Sequence, residues 1–259
     1  MRIGWLQDKP KIPGGAERSA DAFRAGAPAD VEIVDCPAGR LVTDVAIFVV
    51  QNCATYSAEY ISLLEQKPVI RVWNDVGDNG DPVLSHWLGR HAHAHILVSP
   101  KLVEWLLIPL TKSARTHFIP SPVPLPDFLA ADQGQPRQGN VYAGRLHPLK
   151  GVTSAAEWCM REHQESLDVW GWGDESVLIE GTNFRGLAEY ADLPRILAGY
   201  QRFVFLPIQY DPCPRVIFEA WAAGCTLITN GRQGATWWLD NDLPALSSAV
   251  SDFWKVVLQ

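Results

Sequence analysis

Two cations and two carboxylates stand in segments that could hold a diphosphate and ligand hydroxyls. Gly144-Arg145-Leu146-His147-Pro148-Leu149-Lys150-Gly151 follows the apolar run Asn140–Ala143 and opens an amphipathic stretch. Glycines let a chain turn tightly off a strand, and Arg145 and Lys150 would then point beyond the sheet edge, beside a helix N-terminus. Such a loop suits a diphosphate, and on spacing alone a solvated basic turn is an equal reading. Further on, the run Phe203–Leu206 leads into a loop carrying Asp211, and Pro214 suits a first helical position. Glu219 then falls among Val216, Ile217, Phe218 and Trp221. A carboxylate in so apolar a helix needs a partner. Ligand hydroxyls would serve, and so would a neighbouring cation such as Arg215, with Asp211 then a capping residue.

Other candidates carry less. His91, His93 and His95 alternate, and on a strand three imidazoles would share a face as zinc ligands do. No Asp, Glu or Cys at ligand spacing accompanies them, so a surface cluster is the favoured reading and no metal site is expected. A metal-dependent hydrolase on these histidines is a distant third function. Ser19, Ser99 and Ser121 lack the Gly-x-Ser-x-Gly elbow of a serine hydrolase. Gly171-Trp172-Gly173 lacks the third glycine of a dinucleotide fingerprint. Trp172 and Trp237-Trp238 fall in or near loops where aromatic faces stack on bases or sugars.

The elements that must position these residues are legible as alternation. Candidate strands are Ile3–Leu6, Val31–Val34, Val45–Val50, Val69–Trp73, Ile96–Val98 and a weak one at His117–Ile119; then Asn140–Ala143, Leu167–Gly171, Asn183–Arg185, Phe203–Leu206 and Thr226–Thr229. Helical segments are expected at Ala16–Ala25, Ser57–Glu65, Pro100–Leu107, Val152–His163, Leu193–Tyr200 and Pro214–Ala223. Leu243–Gln259 reads as a terminal amphipathic helix through Leu246, Val250, Phe253, Trp254 and Val257. Val/Ile-rich strands alternating with helices predict α/β architecture with parallel sheets covered on both faces. Four prolines between Ile119 and Pro126, then the polar stretch Ala130–Asn140, read as a linker. The expected division is an N-terminal domain over 1–125, a linker over 126–137 and a C-terminal domain over 138–259.

Composition narrows the class. The 259 residues carry 22 basic and 29 acidic side chains, a net charge of −7, with 12 basic against 14 acidic before Phe128. Neither half is basic, so no nucleic-acid partner is expected. Five cysteines without a Cys-x-x-Cys pair read as reduced, packed thiols of a cytoplasmic protein. The first apolar stretch, Ile3–Leu6, is too short for a signal peptide, and no apolar run approaches the roughly 20 residues of a spanning helix. Lys101–Arg115, apolar with Trp105 and flanked by Lys101, Lys112 and Arg115, leaves peripheral contact with an anionic membrane open. Against it stands an ordinary packed helix, which the net negative charge favours.

Taken together, the motifs have a family likeness. Gly-Arg-Leu-x-x-x-Lys-Gly at 144–151, an acidic residue between prolines at Asp211, a second acid eight positions later at Glu219, and Ala-x-Ala-Ala-Gly ending at Gly224 resemble the retaining nucleotide-sugar glycosyltransferases of family 4. Gly14-Gly15-Ala16-Glu17 is similar to that family's glycine-rich N-terminal loop, and Phe184-Arg185-Gly186 to its Phe-x-Gly. The resemblance implies the GT-B architecture, two Rossmann-like domains facing across a cleft, with the terminal helix crossing back to the first domain. It also implies roles. Arg145 and Lys150 would hold the donor diphosphate and stabilise the leaving group in place of a metal ion. Glu219 would take the ribose hydroxyls and Asp211 the donor sugar. Gly14 and Gly15 would let the backbone approach the phosphates, with Gly144, Gly173, Pro214, Arg215 and Val216 completing donor binding.

The expected activity is therefore transfer of a sugar from a nucleotide-diphosphate donor to a hydroxyl of a glycan, lipid or small molecule, with retention, without a cofactor or a metal. Several positions depart from the pattern. Asp211 stands where the family has Glu, Cys213-Pro214 replaces Phe-Gly, and Asn74-Asp75 replaces a His before Asp at the end of Val69–Trp73. The chain is also shorter than a typical member. A module that binds a nucleotide sugar without turning it over is the alternative that these departures favour.

Overall fold

In the computed structural model, all residues except 41, 77–79, 112–113, 132–133 and 135 are described. Lys112 of the apolar-basic segment and part of the expected linker thus lie outside the described residues. The chain forms two compact units: Met1–Pro122 with Asp240–Gln259, and Val123–Leu239.

The first unit is built on a six-stranded sheet, β1 (Arg2–Leu6), β2 (Glu32–Asp35), β3 (Ile47–Val50), β4 (Val69–Trp73), β5 (Ala94–Leu97) and β6 (Arg115–Phe118). The order is β2-β1-β3-β4-β5-β6 and every pairing is parallel. Helices α1 (Gly15–Ala25), α2 (Ile61–Leu64), α3 (Pro82–His91) and α4 (Leu102–Trp105) link the strands. One sheet face packs Ile3, Trp5, Val49, Ile70 and Ile96 against Phe23 of α1 and against Phe253 and Trp254 of the terminal helix Pro244–Val257. Phe23 and Phe253 stack at 4.2 Å, and Trp254 Nε1 donates to the Phe23 carbonyl at 2.8 Å. The terminal helix is thus part of the first unit's core, because its apolar stripe completes that face. The other face buries Phe48, Val50 and Val69 under Leu84 and Leu88 of α3.

The second unit opens with α5 (Leu125–Ala131), which occupies the start of the expected linker. Pro126 sits in the first turn of α5, where its missing N–H is harmless, and Leu125 and Phe128 are buried. The sheet comprises β7 (Asn140–Leu146), β8 (Leu167–Gly173), β9 (Thr182–Gly186), β10 (Arg202–Phe205) and β11 (Thr226–Thr229), in the order β11-β10-β7-β8-β9, again all parallel. Between them run α6 (Val152–His163), α7 (Leu193–Ala198), α8 (Arg215–Ala222) and α9 (Ala235–Asn241).

Three sequence expectations are corrected. The helix expected over Pro100–Leu107 is a single turn, α4, because Leu106 leaves it in extended conformation and Leu107 N donates to the Val76 carbonyl at 2.8 Å. Helix α3 has no counterpart in the sequence reading. Its signal was present: Asp81 before Pro82 is a capping pair, and the Asp81 carboxylate accepts from the Val83, Leu84 and Ala58 backbone N–H groups. Gly144-Arg145-Leu146 belongs to β7 and not to a loop, since the strand continues in register opposite Gly171, Trp172 and Gly173.

All five cysteines are buried reduced thiols. Burial pushes the Cys36 and Cys159 thiols up to about 11, which keeps them protonated and unreactive at neutral pH. No helix among the described residues is long and apolar enough to cross a membrane.

Candidate functional site

Both sheets contain a point where successive connections leave a strand in opposite directions. In the second unit that point lies between β7 and β10: the chain proceeds from β7 to β8 and β9 on one side, and returns to β10 and β11 on the other. In open parallel sheets, ligands bind beyond the carboxyl ends of strands at such a switch. Lys150 follows β7 and Asp211 follows β10, 61 positions away, and Lys150 Nζ donates to Asp211 Oδ2 at 2.5 Å. The two motif segments are thereby joined where a ligand is expected.

Each partner is held by its backbone. Gly151 sits at φ 75° between Lys150 and α6, and a Cβ there would lie 1.9 Å from the Leu206 carbonyl oxygen. Only glycine lets the Lys150 turn pass so close to the end of β10. Ile208 N then donates to the Leu149 carbonyl at 3.0 Å, tying the two loops together. Asp211 forms an isolated parallel bridge with Gln233: its N–H donates to the Arg232 carbonyl at 2.9 Å, and its carbonyl accepts from Gly234 N at 3.0 Å. Gln233 is fully buried and caps α9 through Thr236. It supports the site from a turn to which the sequence reading assigned nothing.

Arg145 is exposed near the end of β7, its guanidinium 5.5 Å from the centre of the Trp172 ring. The register that places Trp172 beside it needs Gly173, whose absent Cβ would meet the Leu146 carbonyl oxygen at 2.3 Å. Beneath it, the buried Tyr142 hydroxyl donates to the Arg145 carbonyl at 3.0 Å. Burial and then the Asp211 charge push the Tyr142 phenol far up, so it stays a neutral donor.

Glu219 finds its partners within the protein. It is 3% exposed, accepts from the Tyr190 hydroxyl at 2.8 Å and lies 3.5 Å from the Arg215 guanidinium, which donates to the same hydroxyl at 2.9 Å. The arrangement is the neighbouring-cation alternative of the sequence reading, with Tyr190 added. Burial first, and the Glu219 charge second, push the Tyr190 phenol well up. Tyr190→Phe removes the hydroxyl that donates to Glu219 Oε1, and is expected to destabilise the chain by about 1–3 kcal/mol in urea unfolding. Asp211 and Glu219 flank the start of α8, where Pro214 is the residue before the helix and no side chain caps Arg215 and Val216. Pro214 was expected inside the helix; its ψ of 110° places it outside.

In the first unit the switch lies between β1 and β3. Gly14 and Gly15 occupy the turn into α1 at this position. The turn is closed by Glu17, which accepts from Gly14 N at 2.8 Å and from Asn52 Nδ2 at 2.5 Å. A glutamate in the first turn satisfies the helix N-terminus from within.

The histidines do not converge. His91 ends α3 and stacks on Trp87, His93 Nδ1 accepts from Val69 N at 3.2 Å, and His95 is buried in β5 with its Nδ1 accepting from Trp73 Nε1 at 3.2 Å. Among the described residues no group of His, Cys, Asp and Glu is placed to hold a metal ion. A hollow of about 250 Å³ lies beside α6, lined by Trp158, Pro207 and Asn230 among others, and none of Arg145, Lys150, Asp211 or Glu219 lines it.

No protein-family model and no curated protein matches the sequence. Solved structures do match. Anabaena Alr3699/HepE in complex with UDP and glucose superposes with a TM-score of 0.67 at 13% identity, covering 99% of this chain and 94% of that one. Sucrose-phosphate synthase from Thermosynechococcus elongatus gives 0.67 at 14% identity, over 97% and 89%. A trehalose-6-phosphate synthase, studied for glycosyl transfer with retention, gives 0.63 at 9% identity, over 96% and 91%. The chain accordingly has the α/β fold of the GT-B glycosyltransferases, two Rossmann-like domains with all-parallel sheets.

Proposed function

We propose that the protein transfers a sugar from a nucleotide-diphosphate donor to a hydroxyl acceptor, with retention at the anomeric carbon and without a metal. The observation that carries this reading is the Lys150–Asp211 pair at the switch point of the second sheet. Arg145 and Lys150 supply the positive charge that a leaving diphosphate requires. As the anomeric C–O bond to the diphosphate breaks and the acceptor oxygen bonds to the same carbon, the acceptor's hydroxyl proton passes to the departing diphosphate oxygen, and the remaining negative charge of the diphosphate lies between these cations. Asp211, already beside Lys150, accepts hydrogen bonds from the donor sugar, and Glu219 takes the ribose hydroxyls in exchange for part of its hold on Tyr190. Gly14, Gly15, Gly144, Gly173, Pro214, Arg215 and Val216 complete the donor contacts. The solved neighbours carrying UDP and UDP-glucose support a uridine donor. Trehalose-6-phosphate synthase, studied for transfer with retention, supports that stereochemistry.

The internal satisfaction of Glu219 favours a second reading, a protein that binds a nucleotide sugar without consuming it. Incubation with UDP-, GDP-, ADP-, CDP- and TDP-sugars, with and without a chelator, separates the two. The transferase releases one nucleoside diphosphate at a chelator-insensitive rate, and the product keeps the donor's anomeric configuration. Tight binding with no release would establish the binding module instead.

A further inference from the structure

Glu219, the carboxylate proposed for the ribose, already holds a hydroxyl of the protein itself. Its Oε1 accepts from the Tyr190 phenol at 2.8 Å, and the same phenol oxygen accepts from Arg215 Nη2 at 2.9 Å. Arg215 Nη2 lies 3.5 Å from Glu219 Oε1, so the three groups close a small ring in which both charged side chains are buried. A phenol that gives one hydrogen bond and accepts another does what a ribose hydroxyl would do between the same two residues. Burial first, and the Glu219 charge second, hold the phenol well above its ordinary range, so it stays a donor at neutral pH. Tyr190 is carried in the connection between β9 and α7, at the start of the single turn Tyr190–Asp192, and its ring meets Phe128 edge-on at 6.3 Å. Strand β9 ends at Gly186, at φ 82° with nothing within 4 Å of its missing Cβ, which leaves the connection room to swing at its first residue.

A site that relies on a substrate hydroxyl to pair a buried polar group rejects the analogue lacking it by about 10⁴–10⁵-fold, because the group is then left without a partner. Glu219 is not in that position. When a nucleotide brings no hydroxyl, Tyr190 stays in place. When it brings one, the phenol is exchanged for it, and the net gain of exchanging one hydrogen bond for another is small. We infer that Tyr190 sets the ribose specificity of the donor site, making it tolerant of nucleotide sugars that lack ribose hydroxyls, deoxyribonucleotide sugars included. The inference rests on the proposed donor site and on Glu219 facing the ribose. Selectivity among nucleotides then falls to the base.

Calorimetric titration of the full chain with UDP, GDP and ADP, each beside its 2′,3′-dideoxy counterpart, tests this on the nucleotide that binds tightest. In the wild type the two forms bind within about tenfold of each other. In Tyr190→Phe the ribose hydroxyls meet a carboxylate that has lost the phenol. The ribonucleotide then binds more tightly, the dideoxy form does not, and the ratio widens to about 100-fold or more. Should Tyr190→Phe fail to fold, Tyr190→Met takes its place, since a flexible side chain fills the space of the ring without a hydroxyl. Discrimination of about 100-fold or more already in the wild type, or a ratio that the substitution leaves unchanged, overturns the inference while the donor site stands. Binding that persists in Arg145→Ala/Lys150→Ala, or failure of all three nucleotides to bind the wild type, overturns the donor reading and this inference with it.

Discussion

Replacing Lys150 by alanine is expected to lower turnover of the sugar nucleotide by about 10²–10³-fold, the usual loss when one group stabilising developing negative charge is removed. Stability should change little. The pair with Asp211 is partly solvated, with side chains 38% and 13% exposed, and such pairs contribute about 1 kcal/mol or less. The contrast between the two effects is diagnostic. A merely structural Lys150 would lose stability and activity together, whereas a leaving-group cation loses kcat in a folded protein. Steady-state kinetics beside urea unfolding of the same preparation measure both.

The second large effect is on folding. Gly151→Ala must place a Cβ 1.9 Å from the Leu206 carbonyl oxygen and 3.0 Å from Pro207 Cα, at φ 75°. The left-handed conformation alone costs about 1–2 kcal/mol. The overlap is with backbone, which no rotamer change relieves, so the end of β10 or the start of α6 has to move. Destabilisation above about 3 kcal/mol is expected, in the range of severe substitutions. Gly186 provides the control, since it has φ 82° with nothing within 4 Å of its missing Cβ. Gly186→Ala should therefore show only the conformational cost, about 1–2 kcal/mol. Urea midpoints of the two variants compare strain with strain plus overlap.

The pattern of strands and helices was written plainly in the sequence where burial dictates composition. Phe48-Val49-Val50 and Phe203-Val204-Phe205 are buried on both sides in parallel sheets, and such strands must be continuously apolar. The terminal helix was legible for a related reason: Leu246, Phe253, Trp254 and Val257 fall on one helical face and are all buried. Tertiary competition hid the rest. The apolar run after Lys101 has helical periodicity, yet Ile108 is drawn into the core and closes the helix after one turn. The docking of the terminal helix on the first unit was implied by the family resemblance and is not contained in the helix's own periodicity.

The site was legible to the extent that it is local. Lys150 and Asp211 could be named because strand ends and prolines mark their loops, and Arg145 because it stands at the end of the strand before the first of them. That Lys150 meets Asp211 follows from β10 lying beside β7, a fact of strand order that no local spacing contains. Tyr190 and Gln233 escaped notice for the same reason. Each lies in a short connection, and each matters only through the residue it faces, Glu219 for one and Asp211 for the other.

The central claim is that the switch point of the second sheet binds a nucleoside diphosphate through Arg145 and Lys150. Thermal stability of the wild type and of Arg145→Ala/Lys150→Ala, against UDP, GDP, ADP, TDP and CDP, tests it most directly. At about 100 times its dissociation constant, a ligand specific to the folded state adds about 2.7 kcal/mol, a rise of a few degrees. The account predicts that one diphosphate, UDP, stabilises the wild type and leaves the double variant unmoved. Equal stabilisation of both proteins, or none by any of the five, would contradict it.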